Sequence, residues 1–86
     1  MMDRKVKDNP AARRYEMEVD GQIVFADYRL DGRSVEILHV ETPVALRGKG
    51  AAGELMQGIM EITRENGLEV VPICPYAVTW MKRHKE

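Results

Sequence analysis

A chain of 86 residues has room for one small domain with a single modest core. Its 44% apolar and 31% charged residues suit a globular fold in water, and a net charge of −1 is not the basic balance of a dedicated nucleic-acid binder. No apolar run approaches the roughly 20 residues of a membrane span, the opening Met1-Met2-Asp3-Arg4-Lys5 carries no signal-peptide apolar stretch, and the lone Cys74 has no partner for a disulfide or a structural metal. The chain therefore reads as cytoplasmic, with neither nucleic acid nor membrane as a partner.

Residues 1–13 are charged and broken by Asn9-Pro10, which predicts a loose, flexible tail ahead of a single domain over 14–86. From Arg14 to Val19, Tyr15, Met17 and Val19 alternate with Glu16 and Glu18, the pattern of a half-buried strand. Asp20-Gly21 is a hairpin signal, Gln22 to Leu30 is rich in β-formers, and Asp31-Gly32-Arg33 marks a second turn before a strand from Ser34 to Val40. Three strands joined by tight turns form an antiparallel meander. The period then changes. Ala52, Leu55, Met56, Ile59, Met60 and Ile62 recur at helical spacing between Gly50 and Asn66, with Gly67 suited to the left-handed stop. Gly58 interrupts that helix at a cost of about 1 kcal/mol relative to alanine, which close packing on the sheet would explain. Leu68 to Ile73 reads as a buried strand, made parallel to the third by a right-handed crossover, and Pro72 sets its part of it at an edge, a bulge or an end. A last helix from Tyr76 to about His84 turns Val78, Trp80 and Met81 inward and ends in Lys82-Arg83-His84-Lys85. The expected class is α+β: a sheet of about four strands built from the meander and a β-α-β crossover, with a C-terminal helix.

The glycine-rich turn Leu46-Arg47-Gly48-Lys49-Gly50-Ala51-Ala52-Gly53 leads straight into the long helix. Free N–H groups at a helix start, small residues that let a ligand approach and two flanking cations make an anion site. Gly48-Lys49-Gly50-Ala51-Ala52-Gly53 spells the dinucleotide-binding glycine fingerprint, and Glu69 lies about 20 residues on. The context is wrong, since that fingerprint follows the first strand of a parallel unit and here three antiparallel strands come first. A P-loop is excluded because no Lys-Ser/Thr pair closes the turn.

Arg47-Gly48-Lys49-Gly50-Ala51-Ala52 also fits R-x-x-G-x-A, which resembles the pyrophosphate-binding motif of the GNAT superfamily of acetyl-CoA-dependent acyltransferases. His39-Val40-Glu41-Thr42-Pro43, Leu46-Arg47-Gly48-Lys49-Gly50 and Cys74-Pro75-Tyr76 through Lys82-Arg83-His84 are similar to a compact GNAT-like group of small N-acetyltransferase-domain proteins over residues 14 to 86. That group commonly has His-Thr-Glu-Val where this chain has His-Val-Glu-Thr, and larger GNAT enzymes add helices after the first strand and a final strand pair. The resemblance implies a minimal GNAT-like fold and acetyl transfer from acetyl-CoA to an amine on a small molecule or a protein, by a monomer or homodimer. It implies that Arg47, Gly48, Lys49, Gly50, Ala51, Ala52 and Gly53 hold the pyrophosphate and that a backbone N–H near Val40 or Glu41 polarises the thioester.

Direct attack by an amine needs a base for the ammonium proton and an acid for the departing thiolate. Glu41, through water, or His39 supplies the base in this reading, and Tyr76 the acid. His39 follows Val35 and Ile37 at a spacing of two and could instead share their inward face. Cys74 would lie near the thioester as a nucleophile or as a wall of the acetyl pocket, or else serve as a small buried hydrophobe. Trp80 and Met81 read as core. The alternatives to an enzyme are a CoA-binding regulatory module without useful turnover and a protein-interaction domain.

Overall fold

The computed structural model describes residues 5–84. In chain order they form β1 (Val6–Asn9), β2 (Arg14–Val19), β3 (Gln22–Asp31), β4 (Ser34–Glu41), a 3₁₀ turn (Val44–Leu46), α1 (Ala51–Glu65), β5 (Glu69–Pro72) and α2 (Pro75–Arg83). The sheet order is β1-β2-β3-β4-β5, antiparallel as far as β4, with β5 parallel to β4 at the edge. Asp20 and Gly21 turn β2 into β3 with φ of 51° and 77°, the doubly positive pair that matches a right-twisted hairpin. Pro72 is the last residue of the edge strand, where its missing N–H costs no ladder bond. No described helix is long and apolar enough to cross a membrane.

One expectation fails. Residues 6–9, read from the sequence as part of a tail, form a fifth strand in register with β2, Val6 opposite Met17 and Asn9 opposite Arg14. The Asn9-Pro10 break is the turn between them, with the Ala12 N–H bonded to Asn9 O at 3.2 Å and Arg13 in the left-handed region at φ 54°. Three of the four β1 residues are polar, so the strand has no alternation to reveal it. Contacts supplied by distant residues hold it. The Tyr28 hydroxyl donates to Asp8 Oδ1 at 2.6 Å. A Cβ at Gly58 would stand 2.2 Å from Val6 Cγ2, so the glycine in mid-helix is a notch that receives β1.

The core occupies one face of the sheet. Tyr15, Met17, Val24, Ala26, Val35 and Ile37 are buried there against Leu55, Met56 and Ile59 of α1 and Ala77 and Trp80 of α2. Each large aliphatic side chain so buried stabilises by roughly 1.5–3 kcal/mol. The stripe of α1 is rotated slightly from the predicted one: Ala51 and Thr63 are buried, while Ala52, Met60 and Ile62 are half-buried. Thr63 is tolerated because its hydroxyl donates to Ile59 O at 2.8 Å. The helix stops as predicted. Gly67, at φ 68°, donates to Arg64 O and Leu68 to Thr63 O, the paired bonds of a Schellman motif. None of Glu16, Glu18, Ile23, Phe25, Asp27, Arg29 and Glu36 on the opposite face is buried, so the sheet is covered on one side.

Candidate active site

The parallel pairing of β4 and β5 ends at Ile37 and Pro72. Ile37 O then accepts from the Ile73 and Cys74 N–H groups, each at 3.0 Å, and the chain turns away into α2. Leu38 to Glu41 run on without a β5 partner, so the two strands form a fork.

A bulge sets what faces the fork. Asp27 pairs with His39 but Tyr28 with Ile37, which leaves Leu38 as an extra residue in β4. The slip turns Val40 toward the core and His39 and Glu41 to the opposite face. His39 therefore does not share the inward face of Val35 and Ile37; its side chain is 57% exposed. Since His39 and Glu41 are two apart on one strand face, their side chains meet, Nε2 to Oε1, at 2.9 Å. An ionised carboxylate only accepts, so the imidazole donates Nε2–H to Glu41, which in the neutral ring leaves the lone pair on Nδ1. Glu41 Oε2 is also 3.9 Å from the Arg47 guanidinium, whose Nε donates to Thr42 O at 3.3 Å.

The start of α1 lies across from this pair. Gly48 and Gly50 both have φ of 79°, a conformation that favours glycine. A Cβ at either would meet nothing within 4 Å, so backbone geometry demands the residue and the space beside it stays open. Gly50 is the N-cap of α1 and no side chain caps it. Its carbonyl accepts from Glu54 N–H at 3.1 Å, the first bond of the helix, so the N–H groups of Ala51, Ala52 and Gly53 have no intrahelical partner. With the positive end of a 15-residue helix dipole behind them, they suit an anion.

Fork and helix start enclose one cleft of about 470 Å³. His39, Val40, Glu41, Arg47, Gly48, Gly50, Ala51, Ala52, Gly53 and Tyr76 line it, together with Thr42 and Leu46, to which the sequence motifs assigned no role. Thr42 and Leu46 belong to the link between β4 and the glycine turn, and a link shows no periodicity to mark its inward residues. Although Tyr76 is 41% exposed, its hydroxyl turns toward Gly53. Partial desolvation raises its pKa above the phenolic value against the opposing pull of Arg83, so the hydroxyl carries its proton at neutral pH as any phenol does.

Two candidates fall outside the lining. Lys49 is exposed beside the cleft. Cys74 is buried, and its Sγ accepts the Ala77 N–H at 3.3 Å as the N-cap of α2, with Pro75 at the first helical position.

The model of the GCN5-related N-acetyltransferase family matches residues 14–86. The chain belongs to that family. As a GNAT-fold protein it is similar to a GCN5-like protein from Staphylococcus aureus whose solution structure superposes with a TM-score of 0.66. The match covers 98% of this chain and 83% of that one at 20% identity, a likeness of fold. No functionally curated protein matches this GNAT domain. The family model begins where β2 begins, so β1, the strand hidden in the sequence, precedes the matched segment.

Proposed function

We propose that the protein is an acetyl-CoA-dependent N-acetyltransferase acting on an amine by direct attack. The observation that carries this reading is the cleft in which an uncapped helix N-terminus faces the fork of two parallel strands. The residues present fit the donor. Open space beside Gly48 and Gly50, three free N–H groups and the Arg47 cation suit a pyrophosphate, and the edge of β4 that β5 leaves open beyond Ile37 suits an extended amide-bearing arm. Acetyl-CoA supplies an activated acetyl thioester.

The chain's own groups divide the proton work. His39 takes the ammonium proton at Nδ1, while Glu41 holds the ring through Nε2–H and stabilises the imidazolium that forms. Tyr76 donates a proton toward the thiolate side. A backbone N–H near Val40 or Glu41 polarises the thioester carbonyl. Cys74 has no step here, because its sulfur caps a helix.

Calorimetric titration with acetyl-CoA tests the binding half. Wild type and Gly50→Ala, which adds only backbone strain of about 1–2 kcal/mol, are expected to bind, and Gly50→Glu, which adds a charge at the anion site, is expected not to. Thiol release that depends on an added amine tests the transfer half. Binding without such release would favour a CoA-binding module, and no binding by the folded wild type would leave a protein-interaction domain.

A further inference from the structure

Trp80 reads as core from the sequence, and its ring is core: the residue is only 8% exposed. Its N–H differs from the ring: it has no acceptor among the described residues, and since Arg14 Nε is the one buried side-chain donor there without a hydrogen bond, the indole N–H opens to solvent. Nε1 lies 3.5 Å, and the Tyr76 hydroxyl 3.8 Å, from the point a Cβ on Gly53 would occupy. Residues 76 and 80 are one turn apart on α2, so both donors converge on the first turn of α1.

Gly53 itself is informative. Its φ lies outside the positive range, and a methyl there would make ordinary contacts, so neither conformation nor crowding requires glycine. Alanine would favour the helix by up to about 1 kcal/mol. What glycine does is leave the two donors uncovered beside the cleft. From behind, the His84 ring stacks on the indole at 4.0 Å and 15°, and its Nδ1 lies 2.8 Å from Trp80 O, which fixes the plane in which Nε1–H points.

We propose that Trp80 is a ligand-binding residue, whose indole N–H, paired with the Tyr76 hydroxyl, donates to an oxygen of the acyl donor beside Gly53. This rests on the acyl-CoA reading above. A neutral donor pair suits an uncharged carbonyl or a phosphate oxygen, and CoA offers both: the amides of its pantetheine arm and its pyrophosphate.

The chain has a single tryptophan, so isotope-labelled protein gives one indole N–H resonance that reports on this group alone. On titration with CoA that resonance is expected to shift and to saturate together with the amides of Gly48 and Gly50. Trp80→Phe, which keeps an aromatic ring and deletes the donor, is expected to bind CoA roughly tenfold more weakly. Should that variant fail to fold, Gly53→Ala replaces it, with weakened binding expected alongside a melting temperature no lower than wild type. A parallel titration with ADP assigns the acceptor: an indole shift with both ligands marks a phosphate oxygen, and a shift with CoA alone marks the pantetheine arm. An indole resonance that stays still while the glycine amides move, or undiminished affinity in the variant, overturns the proposal and leaves the CoA reading intact. If no resonance of the wild type responds to CoA, the CoA reading fails and the proposal goes with it.

Discussion

Gly58 stands in the middle of a helix because Val6 occupies the place of its missing Cβ. Helix propensity alone would make Gly58→Ala stabilising by about 1 kcal/mol, yet the overlap with Val6 opposes it at a cost of roughly 1–3 kcal/mol. The overlap is expected to win. Urea unfolding should show Gly58→Ala destabilised, and less so in a Val6→Ala background; a stabilised single variant would mean that β1 does not seat on α1. Cys74 offers a second test at this scale. If its sulfur serves α2 as a cap, Cys74→Ala costs about 1 kcal/mol of stability and leaves acetyl transfer standing. Loss of transfer in a folded Cys74→Ala protein would give the thiol a chemical role. Site residues were legible in proportion to how local their cause is. The turn at Gly48 and Gly50 announces itself because positive φ selects glycine at each position. His39 was ambiguous because its facing depends on the extra residue Leu38, a pairing slip against β3 that no single strand reveals. Trp80 hid behind its own hydrophobicity.

At the scale of elements, β2, β3, β4, α1, β5 and α2 came through because each carries its own period or punctuation, from the paired positive φ of Asp20-Gly21 to the left-handed Gly67. β1 carries neither, and its stability is borrowed from Gly58 and from the bond between Tyr28 and Asp8. Tyr28→Phe deletes that bond and should lower stability by about 1 kcal/mol, with amide exchange quickened in β1 more than in β4. Uniform quickening across the sheet would show that the bond does not serve β1 in particular. The fork, too, was legible only in part. A crossover strand parallel to β4 could be foreseen, but not the residue at which pairing stops, which depends on Ile37 O taking both Ile73 and Cys74.

The whole molecule folds around a sheet covered on one face, and its buried tyrosines tie stability to alkaline pH. Burial, reinforced by the negative charge of Asp8, pushes Tyr15 from the ordinary 10.0 up to about 12, and Tyr28 is raised by the same causes together with its hydrogen bond to Asp8. A raised phenolic pKa means that the unfolded chain gives up its protons first. These phenols therefore leave stability unchanged below about pH 10 and erode it between about pH 10 and 12. Denaturant midpoints measured across that range should be flat and then fall, and Tyr28→Phe should fall less; a decline that begins near neutral pH would place its origin elsewhere.

The Val6 notch has a consequence for the order of assembly. The notch that receives Val6 is made by a helix that lies far behind it in the chain, whereas the partner strand β2 follows β1 at once, so during synthesis the ladder is available long before the notch. Were β1 unseated, the outer edge of β2 would be open, with backbone donors and acceptors ready to pair with another chain. Pairing of β1 with β2 is what covers that edge. A change that unseats Val6 from the notch would loosen that cover, and the folded domain keeps the edge closed with β1.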